Sequence, residues 1–292
     1  MSSTEQAAAR FAGIEDWSSD DLASALLETQ LAAVAAAGAA KGALAQAIDA
    51  CAERLGRGGR LIYLGAGTSG RLAALDAAEL PPTFDWPYER AVALMAGGAG
   101  ALIKAVEGAE DSLTEAPEAL ATLGLAPEDV VIGVAASGRT PFVLAGLAFA
   151  RNQGALTLAI TNAPEAALAT AAEIALVAET GAEIIAGSTR MKAGTAQKVL
   201  LNCLSTGVMI RLGYVYRGRM VEMRPTNVKL HARAVAMVAE LTGESREVAA
   251  RALETGGTIK RAVVMLTLGM DAAAAEERLQ ESGGLLARAL KA

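Results

Sequence analysis

Histidine is nearly absent from this 292-residue sequence and cysteine is scarce: His231 is the single example of the first, Cys51 and Cys203 the two of the second. A structural zinc site needs closely spaced Cys or His ligands, so neither it nor a disulfide framework is available. Aromatic residues make up 3%, and Trp17, Trp86, Tyr63, Tyr88, Tyr214 and Tyr216 are too scattered to build a stacking platform. Positive charge is not in excess: 26 Lys and Arg against 32 Asp and Glu leave −6 at neutral pH. That balance denies a broad cationic face to nucleic acid or an anionic bilayer. The apolar fraction is 53%, yet much of it is alanine, and the run from Leu31 to Ala40 is too short to span a membrane. Met1 to Arg10 shows no basic stretch leading into an apolar one, so no export signal is expected. The expectation is a soluble, cytoplasmic protein without a nucleic-acid or membrane partner.

What is present is an alternation. An alanine-rich pattern with leucines at helical spacing runs from Asp20 to about Leu55, and Gly56, Gly58 and Gly59 break it. Five short apolar runs of the kind buried parallel strands use then follow: Leu61 to Leu64, Ala91 to Met95, Val130 to Ala135, Leu156 to Ile160 and Ile174 to Val177. Between them the pattern predicts crossover helices over Arg71 to Ala78, Ala101 to Ala109, Pro141 to Asn152 and Pro164 to Ala172. A long helix is expected from about Arg190 to Leu212, and only helices after Thr226, separated by glycines at 243, 256, 257 and 269. The fold class is therefore α/β: a doubly wound, mainly five-stranded parallel sheet with flanking helices and a small all-helical C-terminal module. The expected divisions are a helical lead-in over 1–55, the sheet domain over 56–218 and the helical module over 219–292.

The first strand runs into Gly65-Ala66-Gly67-Thr68-Ser69-Gly70, which matches GxGxxG. A dinucleotide site would also need an acidic residue at the end of the second strand, where this chain has Ala96-Gly97-Gly98. Thr68 and Ser69 instead add hydroxyl donors at a helix start, which suits a phosphomonoester. A second strand-end turn, Ala136-Ser137-Gly138-Arg139-Thr140, repeats this with a guanidinium, and Gly187-Ser188-Thr189-Arg190-Met191-Lys192 opens the long helix with hydroxyls and two cations. Taken singly, each loop reads as ordinary helix capping. Three such loops at strand ends predict one anion pocket in the sheet crevice.

Carboxylates that could move protons are Glu79, with Asp76 beside it, and Glu107, Glu110 and Asp111 in a glycine-interrupted stretch. Removing a proton beside a carbonyl while an alkoxide departs needs one group to accept and another to donate, and two glutamates can do both without a metal or cofactor. Most helical carboxylates are only solvated surface charges, and spacing alone does not choose Glu110 over Glu107.

The segment LIYLGAGTSGRL, continued by LDAAELPPT, resembles the signature of the N-acetylmuramic acid 6-phosphate etherases, and so do Val106 to Asp111, Ala135 to Pro141 and GSTRMKAGTAQK from Gly187 to Lys198. The likeness runs from about Trp17 to the C-terminus. It implies a sugar-isomerase (SIS) fold with a small helical region, a homodimer, and cleavage of the D-lactyl ether of N-acetylmuramate 6-phosphate to N-acetylglucosamine 6-phosphate and D-lactate, with no metal and no cofactor. It further implies that the proton donor is Glu79 in AAEL and that the second active-site glutamate is Glu110 in GAED, not Glu107. An unassisted alkoxide leaves poorly, so Glu79 is expected to be a carboxylic acid kept protonated in a dry pocket beside the ether. Thr68, Ser69, Ser137, Ser188 and Thr189 are the expected phosphate and sugar ligands, with Arg139 or Arg190 for the lactyl carboxylate. SIS domains also serve as non-catalytic sugar-phosphate sensors and as aldose-ketose isomerases; the two retained glutamates argue against a sensor.

Overall fold

A computed structural model describes residues 6–225 and 227–291; positions 1–5, 226 and 292, including the start of the expected lead-in, lie outside the described residues. Contacts divide the chain into two compact units, one holding the chain up to Glu79 together with Pro87–Thr206, the other Leu80–Trp86 together with everything from Gly207.

The first unit opens with α1 (Ser19–Ala39) and α2 (Lys41–Gly56). Ser18 caps α1 by accepting the Asp21 amide at 3.2 Å. Its 21 residues are long and apolar enough, by length and composition, to cross a membrane. One side, with Ala25, Thr29, Ala33 and Ala37, is buried, while Leu27, Leu31 and Val34 are 68%, 73% and 50% exposed. The sheet follows: β1 (Leu61–Gly65), α3 (Gly67–Phe84), β2 (Ala91–Met95), α4 (Glu115–Thr122), β3 (Val130–Ala135), α5 (Pro141–Asn152), β4 (Leu156–Thr161), α6 (Ala167–Ala171), β5 (Ile174–Val177) and α7 (Lys192–Arg211). All five strands are parallel, in the order β2-β1-β3-β4-β5. Every residue of β1, β3 and β4 is buried, as expected for strands covered by helices on both faces. Successive side chains point to opposite faces. Ile62 and Leu64 join the cluster of Val131, Phe142, Val143 and Leu147, whereas Tyr63 turns to the other face, where its hydroxyl donates to Asp76 of α3 at 2.9 Å.

The start of the sheet is tied by an ion pair. Asp129, 2% exposed at its side chain, lies 2.5 Å from the Arg60 guanidinium. It also accepts from the backbone N–H of Arg60 at 2.8 Å and of Ala126 at 2.9 Å.

Two expectations need correcting. The segment Ala101 to Ala109 is not a crossover helix: it holds short 3-10 turns at Ala99–Leu102 and Ala109–Asp111. Gly97, Gly98 and Gly108 take positive φ, and Arg71 takes the carbonyls of Ala101 and Leu102 at 2.8 and 2.9 Å, so these oxygens serve a side chain and not a helix. The helix of this connection is α4. The helix after β1 is also longer than expected, starting at Gly67 and continuing through Pro81 and Pro82, so Glu79 lies inside it and not at its end.

The second unit carries a two-stranded hairpin, β6 (Val215–Tyr216) with β7 (Arg219–Met220), followed by α8 (Val228–Thr242), α9 (Arg246–Gly256), α10 (Ile259–Leu268), α11 (Ala272–Glu281) and α12 (Leu286–Ala289). Ser245, Thr258 and Asp271 cap α9, α10 and α11 with their side chains, and glycines at 243, 257 and 269 end α8, α9 and α10 in the left-handed conformation.

Candidate active site

The strand order changes direction between β1 and its two neighbours, β2 and β3. Open parallel sheets bind ligands beyond the strand ends at such a switch point. The turn from β1 into α3 is shaped for close approach: a Cβ on Gly65 would lie 2.6 Å from Gly70 Cα, and one on Gly70 would lie 2.8 Å from the Gly65 carbonyl oxygen. Gly67 has φ +53°. The strand can therefore enter the helix within two residues, leaving the first N–H groups of α3 without intrahelical partners and the positive end of its dipole facing the crevice.

A cavity of about 360 Å³ opens at this turn, lined by Ala66, Gly67, Arg71, Ala96, Val106, Glu107 and Glu110, among others. The irregular segment after β2 thus carries Glu110 to the β1–α3 turn. Glu107 lines the same space, so the geometry of one chain does not separate the two glutamates.

The other expected residues stand in the turns beyond the strand ends, and none of Thr68, Ser69, Ser137, Arg139, Ser188, Thr189 and Arg190 is among the residues that line this cavity. Thr68 is half-buried, and a Cβ on Gly194 of α7 would lie 3.5 Å from Thr68 Cγ2, so the start of α7 packs on the first turn of α3. Ser69 is buried and donates to Gln197 Oε1 at 2.9 Å. Ser137 accepts the Arg139 backbone N–H at 3.3 Å. Gly138 has φ +61°, and a Cβ there would lie 2.3 Å from that of Ala166, so only glycine fits this second turn. Ser188 and Thr189 are half-buried, and Arg139 and Arg190 are exposed.

Lys192, which the sequence pattern assigns to the pocket as a source of positive charge, points inward instead. Its Nζ donates to the carbonyls of Thr180, at 2.8 Å, and Ala182. Glu183, fully buried, accepts the backbone N–H groups of Lys192 and Ala193 at 3.0 and 2.9 Å. Together they fix the loop and the start of α7. Glu183, Gln197 and Asn162 carry no local signal in the sequence that singles them out, although Gln197 stands within the GSTRMKAGTAQK stretch.

Asp76 is likewise not a free acid or base. It is 3% exposed and accepts from Tyr63 at 2.9 Å, Asn202 at 2.7 Å and Ser205 at 3.1 Å. Burial pushes its carboxyl above the ordinary carboxylate range, against these three hydrogen bonds. Glu79, one turn on, is exposed, so the single chain does not enclose it in the dry pocket expected from the sequence, and that expectation is corrected. Glu79 lies twelve residues beyond Gly67 on α3, about 18 Å along the helix axis. Arg71, which lines the cavity, stands eight residues before it, about 12 Å along the axis, and Glu79 is not among the residues that line the cavity in the single chain. His231 is exposed on α8.

Residues 43–151 match the family described as Glucokinase regulatory protein N-terminal SIS domain, and residues 113–206 match the SIS domain. A phosphoheptose isomerase from Francisella tularensis superposes with a TM-score of 0.51 at 23% identity, over 66% of this chain and 98% of the other, which is a likeness of fold. The sequence relatives reach further. An N-acetylmuramic acid 6-phosphate etherase from Deinococcus radiodurans is 49% identical over 96% of this chain and 92% of its own. One from Salmonella schwarzengrund is 51% identical over 85% of this chain and 84% of its own. Identity of this order, spanning both the sheet and the helical C-terminal unit, means that this chain belongs to the N-acetylmuramic acid 6-phosphate etherase family.

Proposed function

We propose that this protein is an N-acetylmuramic acid 6-phosphate etherase, a carbon-oxygen lyase that releases D-lactate from the sugar and leaves N-acetylglucosamine 6-phosphate. The observation that carries the reading is the single cavity that joins the β1–α3 turn to Glu110. Phosphate sits on the N–H groups of α3, with Thr68 and the hydroxyls of Ser137, Ser188 and Thr189 around the ligand, and Arg139 or Arg190 holds the lactyl carboxylate.

In the open-chain sugar the C1 aldehyde acidifies the C2 proton. Glu110 takes that proton; the electron pair forms the C2–C3 double bond as the C3–O bond breaks, and Glu79 gives a proton to the departing lactyl oxygen. Water then adds across the double bond, its oxygen to C3 and its proton to C2. Each proton transfer is worth roughly 10²–10⁴-fold.

Glu79 serves this reaction from a second copy of the chain. Its exposure and its distance along α3 from the cavity support a homodimer in which α3 of one protomer faces the site of the other. We place the enzyme in the cytoplasm. Incubation with N-acetylmuramate 6-phosphate and an assay of D-lactate test the reading. Stoichiometric lactate and N-acetylglucosamine 6-phosphate are expected. Saturable binding without lactate would make the protein a sensor, and an aldose-to-ketose product an isomerase.

A further inference from the structure

Behind the phosphate turn, three buried side chains form a hydrogen-bond chain whose direction is set at one end. Asn162 Nδ2 donates to the carbonyl of Ala178 at 3.0 Å, Gln197 Nε2 donates to Asn162 Oδ1 at 3.0 Å, and Ser69 Oγ donates to Gln197 Oε1 at 2.9 Å. Ser69, Gln197 and Asn162 are 8%, 1% and 0% exposed. A backbone carbonyl can only accept, so Asn162 must turn its NH₂ toward Ala178, which leaves its oxygen for Gln197 and the Gln197 oxygen for Ser69. A serine hydroxyl has one proton to donate. Here that proton is committed inward, away from the crevice.

We propose that Gln197 and Asn162 are positioning residues for phosphate binding: by drawing the Ser69 hydroxyl proton into the fold, they leave the phosphate to the main-chain N–H groups of α3 and to Thr68. Ser69 then acts as the anchored end of the chain and not as a hydroxyl donor to substrate. The chain joins the first turn of α3, the end of β4, the residue after β5 and α7, so the donors are aimed before the ligand arrives. This inference rests on the reading that the sugar's phosphate binds at the β1–α3 turn.

Equilibrium binding of inorganic phosphate and of N-acetylglucosamine 6-phosphate, measured by calorimetry, tests it without turnover. Ser69→Ala is expected to weaken phosphate by only about two- to fivefold, through the lost anchor. A hydroxyl that donated to the phosphate would cost about ten- to a hundredfold, as charged hydrogen bonds do, and a loss in that range overturns the proposal. Gln197→Glu gives a second, independent measurement. The introduced carboxyl, when protonated, can donate to Asn162 and accept from Ser69, whereas its ionised form sets two acceptors face to face. Relative to wild type at the same pH, the phosphate affinity of Gln197→Glu is expected to fall about tenfold between about pH 6 and pH 9. A ratio that stays constant over that range also overturns the proposal, and so does a thermal melt of Gln197→Glu that drops in parallel with its affinity, because the loss is then of the fold and not of phosphate positioning. Wild-type protein that binds neither ligand would instead sink the reading on which the inference rests.

Discussion

Asp76 and Glu79 stand one helical turn apart on α3 and are chemically alike, yet their surroundings give them different work. Asp76 is enclosed by Tyr63, Asn202 and Ser205, so its oxygens are occupied in holding β1, α3 and α7 together. Glu79 is exposed, and the proposed reaction gives it the proton donor's part. Glu79→Gln is expected to abolish D-lactate release while calorimetric binding of N-acetylglucosamine 6-phosphate stays within about threefold, since the amide keeps the shape and loses only the transferable proton. Loss of binding in parallel with activity would mean that position 79 orients the sugar. Asp76→Asn is expected to destabilise the fold by about 1–3 kcal/mol in urea titration, because its NH₂ meets a donor where the carboxylate accepted. An unchanged midpoint would refute the enclosure. This difference is not legible in the sequence: Asn202 and Ser205 lie 126 and 129 positions away from Asp76, and no local pattern announces them. The Gly65–Gly70 turn is legible, because strand, glycines and helix start are contiguous.

Each strand is readable as a short apolar run, because strands buried on both faces leave no polar positions to confuse the pattern. The segment after β2 misleads because alanine, isoleucine and valine suggest a helix while the glycines at 97, 98, 100 and 108 decide against one. The Arg71 guanidinium then takes two carbonyls that a helix would need. That irregularity is what lets Glu110 reach the cavity. At the opposite edge of the sheet, the Arg60–Asp129 pair joins the starts of β1 and β3. Burial works against the Asp129 charge, but the hydrogen bonds from Arg60 and Ala126 prevail and hold its carboxyl below the ordinary range. A depressed carboxylate contributes stability above its unfolded pKa, about 3.9, and loses that contribution as pH falls through the folded value. Asp129→Asn should therefore cost about 1–3 kcal/mol at pH 7, with the gap to wild type closing below about pH 4. Urea titrations of both proteins at pH 7 and at about pH 3.5 measure this, and a gap that stays constant would refute the linkage.

A single chain places Glu110 at the cavity and Glu79 about 18 Å along α3 from the phosphate turn, farther than a six-carbon sugar reaches from its phosphate. Under the proposed reaction, the second glutamate then comes from a second copy. Exposed apolar surface is available for it: Leu75 on α3 is 45% exposed, with Ala78 and Glu79 exposed beside it, and α1 presents Leu27, Leu31 and Val34. In a twofold dimer each site would combine Glu110 of one protomer with Glu79 of its partner. Glu79→Gln and Glu110→Gln should each be inactive alone. In a heterodimer of the two variants, one site carries both substitutions and the other carries none. Random exchange makes about half of the dimers mixed, so the mixture should recover about a quarter of wild-type D-lactate release. Unfolding and refolding the variants together, or co-expressing them, permits the exchange, and light scattering reports whether dimers re-form. If dimers re-form and activity stays at the background of either variant, both glutamates act within one chain, and the exposure of Glu79 must be closed by a movement of α3 itself.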